Sequence, residues 1–211
     1  MHIGVVGSGD VGRALTVGFL GRGDEVVIGT RDPGKLEQWK SERAPAVRVG
    51  SFADAAEFGD IVALATMWAG TESALDLAGR DHLRGKTVLD VTNPLAMSEH
   101  GPSLALGRTD SGGEQVQRWL PDSHVVKAFN TVGYELMVKP AFKDGPPTMF
   151  YCGDDPGAKA HVRRVIEDFG WEPLDAGGID GARLLEPLCI LWVRHLIQSG
   201  SRRHAFKLLH D

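Results

Sequence analysis

A β-branched segment, Ile3 to Val6, runs straight into Gly7-Ser8-Gly9-Asp10-Val11-Gly12, and a stretch with Val11, Leu15 and Phe19 on one helical stripe follows. Few folds accommodate that order. G-x-G-x-x-G between a strand and a helix opens a βαβ unit. Its first glycine permits the tight turn, its second lets backbone approach a pyrophosphate, and its third lets the helix lie close on the strand. The helix N-terminus then favours the anion. We therefore read Gly7, Ser8, Gly9, Asp10, Val11 and Gly12 together as a dinucleotide-binding turn.

Glycine usage agrees. Of 211 residues 27 are glycine, and nine of these fall within the first 34 positions, a local excess expected where backbone must come close to something. No Gly-X-Y period runs through the chain, so collagen-like and low-complexity structure is excluded. A hydrophobic fraction of 42% with 24% charged residues describes a globular chain long enough to bury a full core without disulfides or structural metal. The formal charge of −5 argues against nucleic acid as a partner, since that requires neutralising several phosphates. The apolar run Leu188 to Val193 is far short of the ~20 residues of a membrane span, and no basic stretch precedes an apolar one at the N-terminus. Cys152 and Cys189 form no C-x-x-C pair, which suits a reducing cytoplasm.

The second strand, Glu25 to Ile28, should separate NAD from NADP. An acidic residue at its end bonds the ribose 2′-hydroxyl, and a basic one accommodates a 2′-phosphate. Here it ends in Gly29-Thr30-Arg31 with Lys35 one turn later. Thr30 offers a hydroxyl, Arg31 and Lys35 offer charge-assisted contacts, and Gly29 is read as letting the chain turn beside the phosphate. Asp32 is the competing acidic candidate, also about the right distance from the glycines, but it directly precedes Pro33 and is read as the N-cap of the next helix. NADP(H) is the expected nucleotide.

Strands and helices then alternate. Strands are expected at 47–49, 61–65, 87–91, 124–129, 148–152 and 171–174. Helices are expected at 52–57, about 68–77, 114–120 and, behind the Asp155-Pro156 capping signal, up to Phe169. The segment from Pro94 to about Gly113 reads as irregular. The fold class is therefore α/β, a Rossmann-type doubly wound, mainly parallel sheet. Residues 1–179 are assigned to the nucleotide-binding domain with extra C-terminal strands. Residues 180–211 are a helical appendage whose two-sided hydrophobicity suits packing or a dimer contact.

Ligands of such sheets lie beyond the carboxyl ends of the strands. Three ends carry distinctive residues: Thr66-Met67-Trp68, Thr92-Asn93-Pro94-Leu95 and Asn130-Thr131. Their amides and hydroxyls are suited to the carboxamide and ribose of a nicotinamide nucleotide, with Met67, Trp68, Leu95 and Phe129 as walls for the ring. No catalytic dyad is evident, and the eight histidines, His195, His204 and His210 among them, show no metal-ligand spacing. Lys127 is the best candidate proton donor for carbonyl chemistry, with Tyr134 and His100 behind it. Its bland role is a snorkelling lysine at a strand end.

The glycine turn, Thr30-Arg31, Val125 to Thr131, Cys152-Gly153-Asp154-Asp155, Leu174-Asp175-Ala176-Gly177 and Ala182-Arg183-Leu184-Leu185-Glu186 together resemble the coenzyme F420-dependent NADP oxidoreductases. The pattern is also similar to the cytosolic NADPH-binding domain of the six-transmembrane ferric reductases, without a counterpart of their membrane part. The resemblance implies NADP(H), hydride exchange with a deazaflavin (coenzyme F420) or flavin as the small-molecule acceptor, and a homodimer. The competing expectations are an NADP-dependent carbonyl or hydroxy-acid dehydrogenase and a non-enzymatic NADPH sensor.

Overall fold

The computed structural model describes residues 1–209. Eight strands form one sheet: β1 (His2–Val6), β2 (Glu25–Gly29), β3 (Arg48–Gly50), β4 (Ile61–Leu64), β5 (Thr87–Asp90), β8 (His124–Lys127), β9 (Thr148–Gly153) and β10 (Glu172–Asp175). They stand in the order β10-β9-β8-β5-β4-β1-β2-β3. All neighbours are parallel except β8 and β9. The helices are α1 (Asp10–Gly21), α2 (Glu37–Arg43), α3 (Phe52–Phe58), α4 (Thr71–Ala78), α5 (Gly112–Trp119), α6 (Pro156–Asp168) and α7 (Ala182–Ser199).

Both faces of the sheet are covered, so strand residues bury alternately to either side. Ile3 and Val5 of β1 join Leu15, Phe19, Phe129 and Phe169 in one core, while Val6 joins Phe52, Leu64, Leu75 and Val88 in the other. Fully burying side chains such as Phe19 or Leu75 contributes roughly 1.5–3 kcal/mol each. Strand order reverses at β1, which lies between β2 and β4. That switch point opens a crevice beyond the carboxyl ends of β1 and β4.

Three local expectations need correction. The segment after Pro94 contains an antiparallel hairpin, β6 (Leu95–Ser98) with β7 (Gly101–Leu104), in place of irregular chain. Its strands lack β-branched residues and leave Leu95 and Met97 exposed, so no alternation announces them. Gly101 at φ +101° makes the turn. Asp32 stands at the N-cap ahead of Pro33 as expected, but of a 3-10 turn (Pro33–Leu36), and its side chain makes no capping bond and lies 3.5 Å from Lys35 in an exposed pair. Asp155, by contrast, accepts from the Ala158 N–H at 2.7 Å as its spacing predicts. Gly29 sits inside β2, where a Cβ would press on Ser51 O at 2.9 Å and Phe52 Cα at 3.0 Å. It is small because α3 begins against it, not to turn the chain.

Candidate functional site

The three motif glycines have different physical reasons for lacking a side chain. Gly7 has φ +120°, and a Cβ there would overlap the Ala65 carbonyl oxygen. A Cβ on Gly12 would overlap the carbonyl oxygen of Gly7, so contact between α1 and β1 requires the third glycine. A Cβ on Gly9 would meet nothing within 4 Å, so packing does not require that glycine. Gly9 is also the N-cap of α1 and caps it with no side-chain bond. The first N–H groups of a twelve-residue helix are therefore free to meet an anion.

Gly7, Ser8 and Gly9 floor a cleft of about 350 Å³, lined also by Thr30, Arg31, Asp32, Lys35, Thr66 and Met67. Its far wall comes from Phe52 of α3 and from Ser73, Ala74 and Leu77 of α4. Sequence reasoning missed that wall, although an exposed Leu77 beside the buried stripe Ala74, Leu75 and Ala78 was a usable signal. Ser8 donates its hydroxyl to Thr30 Oγ1 at 2.9 Å, and Thr30 Oγ1 accepts from the Asp32 N–H at 3.1 Å. Arg13, also missed, clamps the glycine turn to the 3-10 turn that follows β2. Its Nε donates to Ser8 O at 3.0 Å, its Nη2 donates to Lys35 O at 3.3 Å, and its guanidinium lies 5.7 Å from the Trp39 ring centre. The rim carries Arg31 and Lys35 against Asp32, a net positive edge.

The other expected site residues are distributed differently. Asp10 faces a separate groove of about 590 Å³ with Arg13, Trp39, Tyr134 and Glu135, and Val11 packs into the first core. Trp68 does not wall the cleft. It stacks on Trp119 with ring centres 5.5 Å apart, because the expected helix from 68 begins as a 3-10 turn that carries its ring toward the second core. Phe129 is fully buried against Phe169 at φ +57° and cannot face a ligand. Leu95 is half-exposed on β6, and Pro94 packs close to Gly112. The ends of β4, β5 and β8 lie side by side in the sheet, and two of them are tied together. Asn93 Nδ2 donates to Asn130 O at 2.9 Å, and Asn130 Nδ2 donates to Asn93 Oδ1 at 3.0 Å. Thr131 is buried next to them. Thr66 Oγ1 lies 2.9 Å from Thr71 Oγ1, joining β4 to the start of α4.

Lys127 is neither a snorkelling lysine nor an accessible acid. It is 0% exposed. Its ammonium donates to Thr92 O at 2.7 Å and pairs with Asp90 at 2.8 Å and Glu186 at 3.2 Å. Burial acts to strip its proton, but the two carboxylates outweigh burial and hold its pKa above the ordinary lysine value. A carbonyl mechanism thus loses its best proton donor. Burial likewise pushes the thiols of Cys152 and Cys189 up to about 12, which makes both packing residues and not nucleophiles.

Among the described residues no group of three or more His, Cys, Asp or Glu side chains is placed to hold a metal ion. His195 and His204 pack edge to face with ring centres 4.5 Å apart, and His210 lies outside the described residues. No helix among them is long and apolar enough to cross a membrane.

A glycine turn at the switch point, an uncapped helix over it and a basic rim at the end of β2 define a Rossmann-type dinucleotide-binding protein. Residues 2–94 match the family model described as NADP oxidoreductase, coenzyme F420-dependent. A crystal structure from Arthrobacter sp. FB24, provisionally described as an F420-dependent NADP reductase, superposes with a TM-score of 0.92 at 38% identity over 100% of both chains. The F420-dependent NADP reductase of Methanothermobacter thermautotrophicus is 25% identical over 99% of this chain and 94% of its own. Metalloreductase STEAP3 of Rattus norvegicus is 30% identical over 88% of this chain and 36% of its own length, so the chain spans about a third of that relative. The chain belongs to the coenzyme F420-dependent NADP oxidoreductase family.

Proposed function

We propose that the protein catalyses hydride exchange between NADP(H) and a deazaflavin or flavin, coenzyme F420 first among the candidates. The observation that carries the nucleotide half is the open space at Gly9 beneath the uncapped N-terminus of α1, with Arg31 and Lys35 at the rim. The free N–H groups of α1 would hold the pyrophosphate, and Thr30, Arg31 and Lys35 the 2′-phosphate. When bound, NADPH supplies the hydride and the acceptor ring receives it, so stacking the two rings within about 3–3.5 Å is the main demand on the protein. The chain's residues suit that demand. Met67, 86% exposed, is an apolar surface at the end of β4, Asn93 and Asn130 are hydrogen-bonded to each other at the ends of β5 and β8, and Lys127, the best candidate proton donor, is sealed away. The acceptor half rests on the F420-dependent relatives.

An acceptor screen under NADPH, followed by loss of nicotinamide absorbance, tests this reading with coenzyme F420, FMN and FAD. Turnover with F420 is expected, and silence with all three would sink the proposal. Replacing Arg31 by Ala is expected to cost about 1.5–3 kcal/mol of NADPH binding, roughly a 10- to 150-fold loss, while NADH binding changes little. Titration of both nucleotides measures it; equal affinities for NADPH and NADH in the unmutated protein would overturn the assignment of Arg31. We place the protein in the cytoplasm as a homodimer. Its support is the exposed apolar series Leu184 (67%), Leu191 (56%) and Ile197 (63%) on α7, and sedimentation tests it.

A further inference from the structure

The C-terminal helix reaches both tied strand ends through two consecutive residues. Leu185 O accepts from Asn130 Nδ2 at 3.0 Å. The Glu186 carboxylate, 1% exposed, accepts from the N–H groups of Gly112 at 2.9 Å and Gly113 at 3.0 Å and pairs with Lys127 at 3.2 Å. Lys127 in turn donates to Thr92 O, the carbonyl just before Asn93. Asp90 completes the ring, its Oδ1 accepting from the Thr92 N–H at 2.9 Å and the Thr92 hydroxyl at 2.7 Å. Two carboxylates thus face one ammonium in a site without water access. The N-terminus of α5, the residues Gly112 and Gly113, supplies the missing positive potential through its free N–H groups.

An apolar cluster of the same size would satisfy packing with no desolvation cost, so these charges call for a reason beyond stability. Asp90 and Lys127 both bond Thr92, the residue before Asn93, Leu185 next to Glu186 accepts from Asn130, and Glu186 ties Lys127 to the start of α5. Between Lys127 and Asn130, Phe129 holds an αL conformation that bulky residues rarely adopt. Such strain persists only where the surroundings over-determine it.

We infer that Asp90, Lys127 and Glu186 are positioning residues for the proposed hydride transfer: they lock Thr92 and the Asn93–Asn130 pair into the geometry that aligns the nicotinamide end of the nucleotide. Acting through α7, they make the C-terminal helix a working part of the site. The inference rests on the function proposed above for its kinetic half only.

Glu186→Gln is the test. A glutamine keeps the shape, but its amide must turn N–H donors toward either a glycine N–H or the Lys127 ammonium, both of which are donors themselves. The side-chain amide resonances of Asn93 and Asn130, assigned in the nucleotide-free protein with Asn→Asp variants, are expected to move or broaden in Glu186→Gln. With the acceptor identified by the screen, kcat is expected to fall about tenfold or more while KM for NADPH stays within about threefold. A thermal melt shows that the variant is folded. Amide signals unchanged from the unmutated protein, or kcat within about twofold, overturn the inference. The function reading fails separately: NADPH added to the unmutated protein would then leave the Asn93 and Asn130 signals unmoved.

Discussion

Gly9→Val is expected to leave the fold intact and to abolish nucleotide binding. Gly9 is exposed, its φ of −72° and ψ of −175° suit any residue, and a Cβ there meets nothing within 4 Å. With neither clash nor strain, the cost is that of valine replacing glycine at an N-cap, about 1 kcal/mol, so the melting temperature should fall by no more than about 4 °C. The space that the valine fills is where the pyrophosphate would approach the first N–H groups of α1. Loss of those contacts should weaken NADPH binding about 100-fold or more, roughly 2.7 kcal/mol. Gly12→Ala is the contrasting variant: its Cβ would overlap Gly7 O, and overpacking against rigid backbone should destabilise the protein by about 3 kcal/mol. Calorimetry and NADPH titration on the pair separate a glycine kept for a ligand from one kept for packing. A Gly9→Val protein that binds NADPH normally would remove the pyrophosphate from this turn.

The same distinction explains what could be read without coordinates. The glycine turn and the sheet were legible because βαβ units impose two periods at once, β-branched runs for buried parallel strands and a 3.6-residue stripe for the helices. The basic end of β2 was legible because β1 and β2 pair in parallel, which brings Thr30 to Ser8 and Arg31 and Lys35 to the same cleft. What failed depended on which way a side chain turns. Trp68 and Phe129 follow strand ends as ring-walling residues would, yet each packs on another aromatic ring, Trp119 and Phe169. Ser73 and Leu77 entered the cleft because α4 packs back across the sheet, which no local pattern states. The β6–β7 hairpin escaped because its strands hold no β-branched residue and bury neither face fully, so no alternation marks them. Lys127 shows the limit best. A lysine closing an apolar strand has an ordinary surface explanation, and only the fold brings Asp90 and Glu186 from distant parts of the chain to make it fully buried.

That triad carries the second large effect. Lys127→Met removes the only cation between Asp90 and Glu186 and strands two carboxylates in the interior. Breaking a buried pair from one side typically costs about 3–5 kcal/mol, so the melting temperature should fall by about 10 °C. Its pH dependence identifies the cause. Burial already raises the Glu186 pKa in the unmutated protein, with Lys127 and the two glycine N–H groups opposing. A carboxylate with a raised folded pKa contributes its stability below the unfolded value of ~4.3 and loses it as pH climbs through the folded value. Without Lys127 that opposition weakens and the folded value rises further. The deficit of Lys127→Met relative to the unmutated protein should therefore be small near pH 4 and grow toward pH 7.5. The raised Lys127 pKa places the unmutated protein's own loss above the ordinary lysine value of ~10.4, outside this window. Adding Glu186→Gln to Lys127→Met removes one stranded charge and should recover about 1 kcal/mol or more at pH 7.5, against the further loss that independent sites would show. Denaturant melts at both pH values measure all three proteins. A deficit that does not vary with pH, or that simply adds in the double variant, would mean that Lys127 matters for its volume and not for its charge.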